Sequence, residues 1–242
     1  MTDLVLSEVF GPTVQGEGPS LGRRCAFVRL GRCNLSCRWC DTPFTWDWSG
    51  VTGISYDPSK LYRAAVHDVV HKVRAMGVPL VVVSGGEPLL QRAALGELLD
   101  ALLYSGIHVE VETNGTQLPP PLWTDPAERP EGVTLRYNVS PKLAHSGDPE
   151  EQRIHPGVLQ VFAALPSTAF KFVARTVADL DEVAAVVERA QIPPGQVWVM
   201  PEGVTQQTVH QHATALGTEV VARGWNMTTR LHVQVWGNRR GV

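Results

Sequence analysis

Short apolar, β-branched runs alternate along the chain with longer stretches whose apolar residues recur at helical spacing. The strand-like runs are CAFVRL at 25–30, LVVVS at 80–84, HVEVET at 108–113, LRYNVS at 135–140, FKFVA at 170–174, VWVMP at 197–201 and RLHVQVW at 230–236. Helical periodicity fills 58–76, 89–105, 177–190 and 205–223. Strands joined mainly by helices predict an α/β fold in which a mostly parallel sheet is covered by helices. A full eight-unit barrel takes about 250 residues. Here seven strands fall short of eight and a proline-rich loop at 118–130 replaces one helix, so an incomplete, partial TIM-like barrel is expected. No repeat or linker divides the chain, and a single domain over 1–242 is expected.

In such folds, sites gather where strands end and their following loops begin. The unusual short motifs all fall there: the loop GRCNLSCRWCDT after the first run, SGGEP at 84–88, ETNG at 112–115, SPK at 140–142 and MPEG at 200–203. With 242 residues and 43% apolar side chains the chain can bury a sizeable core, which excludes disorder and a disulfide miniprotein. A net charge of -3 gives no global electrostatic reason to bind nucleic acid or an anionic membrane. No apolar run approaches the roughly 18 residues of a membrane span. The N-terminus lacks the basic start and apolar stretch of a signal peptide, so a cytoplasmic protein with a small-molecule partner is expected.

Three of the four cysteines, Cys33, Cys37 and Cys40, form C-x3-C-x2-C. Thiolates packed so closely share one centre, and they suit zinc or an iron–sulfur cluster. Structural zinc requires a fourth ligand, and the nearest candidate, Cys25, opens an apolar strand where a small core side chain is the usual role. Three cysteines on a [4Fe-4S] cluster leave one iron open, as a cluster that binds a substrate requires. In SGGEP, Gly86 lets the backbone approach a ligand closely, and exposed carbonyls with Glu87 would accept hydrogen bonds from an ammonium group. A plain strand-to-helix turn is the alternative reading of this segment.

The cysteine spacing after a first strand, followed by GGEP after the next, resembles the radical S-adenosylmethionine (SAM) superfamily. That resemblance implies a [4Fe-4S] cluster held by Cys33, Cys37 and Cys40, with SAM chelated to the open iron. Trp39 then stands near the adenine, or else screens the cluster as a core aromatic. Within the superfamily, EVFGPTVQGEG at 8–18 together with FVRLGRCN, WCDT, SGGEP, ETNGT and SPK looks like the 7-carboxy-7-deazaguanine synthase family, over nearly the whole chain.

This finer resemblance implies a lyase that converts 6-carboxy-5,6,7,8-tetrahydropterin to 7-carboxy-7-deazaguanine with loss of ammonia. The implied helpers are Mg2+, a flavodoxin- or ferredoxin-type electron donor and a homodimeric assembly. It implies that Val14, Gln15, Gly16 and Ser84 hold the pterin, that Arg29 pairs with a carboxylate, and that Thr42 ligates Mg2+. SAM contacts are implied for Arg38, Trp39, Cys40, Gly86, Glu87, Ser140, Pro141 and Lys142, and for Met200, Pro201, Glu202 and Gly203. The rivals are an activase of a glycyl radical enzyme and a zinc-stabilised binding module without chemistry.

Two further features stand apart. Lys171, one of only four lysines, lies inside a strand pattern, where an inward ammonium needs a partner. His67 and His71 share a helix face but lack the glutamate of a zinc hydrolase motif, and they read as a solvated face.

Overall fold

The computed structural model describes residues 2–121, 131–165 and 167–242; most of the expected 118–130 loop lies outside them. The chain forms two compact units.

The first unit comprises Met1–Thr13, Arg24–Thr113 and Gln117–Arg136. Its strands are β1 (Asp3–Val14), β2 (Arg24–Leu30), β3 (Tyr62–Ala65), β4 (Leu80–Gly85) and β5 (His108–Thr113), in the order β3-β1-β2-β4-β5. β3 runs antiparallel to β1 with Leu6 opposite Tyr62, whereas β2, β4 and β5 are mutually parallel, Arg29 lying beside Ser84 and Val81 beside Val109. Val81, Val82 and Val83 are completely buried. A strand covered on both faces reads as an unbroken apolar run, which is why β4 announces itself in sequence. α1 (Val66–Ala75) and α2 (Arg92–Tyr104) complete this unit, α2 burying Leu95, Leu98, Leu99 and Leu102.

The second unit comprises Val14–Arg23, Asn114–Thr116 and Tyr137–Val242. β6 (Leu135–Val139), most of which belongs to it, is followed by β7 (Thr168–Ala174), β8 (Val197–Pro201) and the two-residue β9 (Asn226–Met227), all parallel and in that order. The helices are α3 (Glu150–Arg153), α4 (Pro156–Ala163), α5 (Val177–Arg189), α6 (Gln206–Ala222) and α7 (Leu231–Trp236). α5 opens with a capping box in which Thr176 and Asp179 satisfy each other's backbone N–H groups. Ala174, Leu180, Val199, Leu216 and Val220 form one of its buried apolar clusters.

In the first unit β3, and in the second β9, has a single strand neighbour, so each unit keeps an open edge beside mostly parallel strands, as an incomplete barrel requires. Three expectations are corrected. The described residues hold nine strands, because β1, β3 and β9 were not anticipated and the 230–236 run is not a strand, and the helix expected over 58–76 is confined to Val66–Ala75. The 230–236 run is a helix, not a strand. Its alternating letters mimic a two-residue period, yet within Leu231–Trp236 only Val233 packs inward, and Gln234 N–H bonds back to the Arg230 carbonyl at 3.2 Å. A further difference is the helical stretch Glu150–Arg153 and Pro156–Ala163, for which the sequence carries no assignment.

Candidate active site

In the first unit the cysteine loop leaves β2 at Leu30 and is pinned by its backbone. Gly31 N–H donates to the Val5 carbonyl at 2.9 Å and Arg32 N–H to the Thr45 carbonyl at 2.7 Å. Arg32 itself sits in the left-handed region with φ 76°, a conformation that costs a non-glycine residue on the order of 1 kcal/mol and that the packed loop must hold in place. Cys37 is buried, while Cys33 and Cys40 are half-buried, and none of the three is in a disulfide. Leu35 N–H points at Cys33 Sγ (3.5 Å) and the Trp46 indole N–H donates to Cys40 Sγ (3.3 Å). Burial, with Asp41 nearby, pushes the Cys40 thiol up, against the opposing hydrogen bonds from Trp46 and Thr42. N–H donors on sulfur and a half-buried setting fit thiolates that ligate a cluster.

Cys25 behaves differently. It is wholly buried against Leu80 and Val82, and burial, reinforced by Glu110 and Glu112, pushes its thiol up to about 12. That is a core cysteine, not a fourth ligand. Among the described residues no three His, Cys, Asp or Glu side chains converge on a single ion position. A cubane cluster makes no such demand, since it takes its ligands at separate corners.

The SGGEP turn packs directly onto this loop. Gly86 N–H donates to the Leu30 carbonyl (3.1 Å) and Glu87 N–H to the Arg32 carbonyl (2.8 Å). A Cβ added at Gly86 would lie 1.9 Å from the Arg32 carbonyl oxygen, so only glycine permits the approach. Glu87 is completely buried, and its Oε1 accepts from Leu89 N–H (2.9 Å) and from the Thr113 hydroxyl (2.8 Å). Its side chain therefore caps the turn at Pro88–Gln91.

Ser84 donates its hydroxyl to Glu112 Oε2 at 2.9 Å. Thr42, half-buried, donates to the Gly85 carbonyl at 3.4 Å and lies 3.6 Å from Cys40 Sγ. Arg29 gives its Nε to Glu8 (2.8 Å), and its guanidinium lies 5.8 Å from the ring centres of Phe10 and Phe27 and 6.0 Å from that of Phe44. Such a box fixes the planar fork. Arg38 is exposed and Trp39 half-buried.

In the second unit the QGEG segment is built around a half-buried carboxylate. Gln15 is 1% exposed, and its Oε1 accepts from Glu17 N–H at 3.2 Å. Gly16 offers its carbonyl to Leu231 N–H (2.8 Å) and faces His232 so closely that an added Cβ would lie 2.1 Å from Nδ1. Glu17 is ion-paired with Lys171, accepts from Arg230 Nε at 3.1 Å and has His232 Nε2 at 3.9 Å. Burial pushes its carboxyl upward, but Lys171, Arg230 and His232 outweigh burial and hold it well below the usual carboxylate range. Lys171 thus has the partner that its strand position demands. Val14, half-buried, precedes this segment.

Also in this unit, Lys142 folds back so that its ammonium donates to the Ser140 carbonyl (2.8 Å) and hydroxyl (2.9 Å), next to buried Pro141. Met200 and Pro201 end β8 in the core, and the Glu202 carbonyl is met by His212 Nδ1 at 2.7 Å. The Gly203 carbonyl accepts from Arg230 at 2.6 Å. His67 and His71 belong to no such grouping. His67 pairs with Asp68 at 3.0 Å on an exposed helix face.

Sequence reading missed Glu17, Arg230 and His232, as well as Glu112 and Trp46. The one available signal was Lys171, whose partner is 154 residues away along the chain.

Residues 28–129 match the Radical SAM superfamily. A 7-carboxy-7-deazaguanine synthase of Pyrobaculum aerophilum is 36% identical over 236 residues, covering 97% of this chain and 95% of the relative. One of Rhodopirellula baltica is 30% identical over 254 residues, covering 100% and 90%. The crystal structure of QueE from Escherichia coli covers 95% of each chain with a TM-score of 0.68 at 22% identity, a likeness of fold. With the cysteine loop and the glycine turn packed on it, these full-length relatives show that the chain belongs to the 7-carboxy-7-deazaguanine synthase family of the radical SAM superfamily.

Proposed function

We propose that the chain is a radical SAM lyase that converts 6-carboxy-5,6,7,8-tetrahydropterin to 7-carboxy-7-deazaguanine with release of ammonia, in 7-deazapurine and queuosine biosynthesis. The observation that carries the reading is the packing of Gly86 and Glu87 against Arg32 and Cys33, which sets an ammonium-accepting turn on the thiolate loop. When bound, the cluster and SAM would supply the one-electron chemistry that starts the reaction by hydrogen abstraction.

The chain's own residues bind and orient. Cys33, Cys37 and Cys40 would hold the [4Fe-4S] cluster. Gly86 and Glu87 would meet the ammonium of SAM through backbone carbonyls, because the Glu87 carboxylate is engaged by Leu89 and Thr113. Ser140, Pro141 and Lys142, the loop residues Arg38, Trp39 and Cys40, and Met200, Pro201, Glu202 and Gly203 would complete the SAM contacts. Val14, Gln15, Gly16 and Ser84 would hold the pterin. With Arg29 Nε on Glu8, the terminal nitrogens of its guanidinium are those a substrate carboxylate would take. Thr42 would give one oxygen to Mg2+, the remaining ligands being substrate oxygens and waters.

The reading takes 1–242 as one radical SAM domain working in the cytoplasm as a homodimer, reduced by a flavodoxin- or ferredoxin-type donor. No described helix is long and apolar enough to cross a membrane.

The test is anaerobic reconstitution with iron and sulfide, then incubation with SAM, a reductant, Mg2+ and the carboxytetrahydropterin. Formation of 7-carboxy-7-deazaguanine and ammonia is expected, with Thr42→Val losing its response to Mg2+ while still binding SAM. SAM cleavage with the pterin left intact would overturn the reading in favour of an activase.

A further inference from the structure

The segment from Ser140 to Asp148 leaves β6 and reaches α3 with little regular structure of its own. Its internal bonds are short-range turns: Ser146 N–H to the Leu143 carbonyl at 2.9 Å and Gly147 N–H to the Ala144 carbonyl at 3.1 Å. His145 Nε2 meets the Val173 carbonyl at 3.0 Å, and two side chains outside the segment grip its backbone. Arg153, at the end of α3, is 4% exposed, a rare degree of burial for arginine. One of its terminal nitrogens donates to the Lys142 carbonyl at 2.7 Å and to Glu182 Oε1 at 2.7 Å, and its Nε donates to the Asp148 carbonyl at 3.2 Å. Glu182, on α5, in turn accepts the Ala144 N–H on both oxygens, at 3.0 and 2.9 Å. The pair therefore grips three backbone groups of one loop, and the first of them is the carbonyl of Lys142.

We infer that Arg153 and Glu182 are positioning residues which hold Ser140, Pro141 and Lys142 in the geometry that receives SAM. The inference rests on the proposed role of that segment as a SAM contact. Lys142 is fixed at both ends, its carbonyl by Arg153 and its ammonium by the Ser140 carbonyl and hydroxyl. A hydroxyl that already accepts from an ammonium keeps its own proton for an outside acceptor, so the pair presents Ser140 as a donor. Pinning the loop before ligand arrives removes the ordering cost from the binding step. A buried ion pair as a whole adds little stability over apolar side chains of like volume, whereas the Arg153 fork fixes backbone carbonyls that an apolar side chain would leave unbound.

The experiment compares SAM affinity of the cluster-loaded protein, by anaerobic equilibrium dialysis, with amide hydrogen exchange over residues 142–148 measured without SAM. Arg153→Met keeps the volume and removes the donors. Its SAM dissociation constant is expected to rise about tenfold, and exchange in the segment to accelerate by a similar factor. Iron content and pterin affinity stay within about twofold of the parent. Arg153→Lys, which keeps one donor for the Lys142 carbonyl, recovers part of both effects. Glu182→Ala, at a half-exposed site, moves both readouts the same way and carries the test should Arg153→Met not fold. Unchanged SAM affinity in the folded variants, alongside weakened SAM binding in Ser140→Ala, would overturn the inference alone. Faster exchange with SAM affinity untouched in every variant, Ser140→Ala included, would overturn the SAM role of the segment and the inference with it.

Discussion

Replacing Lys171 by methionine removes one of the two principal cations that hold the Glu17 carboxylate. Lys171 is 5% exposed within β7, so methionine fills the same space and the change is electrostatic, with no cavity. Glu17 retains Arg230 Nε at 3.1 Å but loses its paired ammonium. Breaking a buried pair by removing one partner costs about 3–5 kcal/mol. Because Arg230 remains, the lower end applies. In a chain of this size that corresponds to a fall in melting temperature of about 6–12 °C. Glu17→Gln leaves two buried cations facing a neutral amide and costs at least as much. The double variant Glu17→Gln/Lys171→Met removes charge from both sides, so its loss is smaller than the sum of the single losses by about 1–3 kcal/mol.

The acid side gives an independent check. Burial raises the Glu17 carboxyl from its ordinary 4.5, but the surrounding Lys171, Arg230 and His232 hold it well below that value. A depressed folded-state pKa means the stabilisation is complete above about pH 4.5 and disappears as the pH falls further. The parent should therefore lose stability on acidification more steeply than Glu17→Gln. Urea unfolding of the cluster-free protein, followed by tryptophan fluorescence at several pH values, measures both quantities. Strict additivity in the double variant, together with parallel acid slopes, would refute the cradle.

Other outcomes follow from single contacts. Cys33→Ala, Cys37→Ala and Cys40→Ala should each abolish cluster absorbance and SAM cleavage after reconstitution. Cys25→Ala, a core thiol pushed up to about 12, should keep both at a modest stability cost. Gly86→Ala drives a methyl group to 1.9 Å from the Arg32 carbonyl oxygen, so the cysteine loop must shift, and SAM affinity should fall by an order of magnitude or more in dialysis. Asp47 is inaccessible to solvent; burial raises its carboxyl, but hydrogen bonds from Thr52, Val51 and Gly50 outweigh it and bring the value to about 2. Thermal melts should show the parent losing this contribution between about pH 4 and pH 2, whereas Asp47→Asn should melt a few degrees lower at neutral pH and lack that acid step.

How much of this could be read from the letters depends on the distance over which each feature is determined. β4 is legible because four consecutive apolar residues, covered on both faces, need no period to be recognised. The glycine turn and the cysteine triplet are legible because their chemistry is carried by residues adjacent in the chain. β1 was missed because three consecutive buried residues, Leu4, Val5 and Leu6, are followed by a mostly half-buried stretch with Val9 and Thr13 alone buried, so neither period dominates. The helix Leu231–Trp236 was misread for a related reason, since six residues are too few for a helical period to outvote an accidental alternation.

The Glu17 cradle was invisible for a stronger reason. Its carboxylate is held by side chains 154 and 213 residues further along, and no local pattern encodes which carboxylate an inward lysine will meet. What sequence did supply was the electrostatic obligation. An ammonium inside a strand such as FKFVA needs a counter-charge, and the fold discharges that obligation at the QGEG loop. The same logic runs in reverse for Arg29, whose charge was assigned to a substrate from its motif. The structure adds Glu8 as a resident partner, so under the proposed function a substrate carboxylate would meet a guanidinium already oriented and partly neutralised. Its affinity should then depend on Glu8 as well as on Arg29, a dependence that the motif alone does not contain.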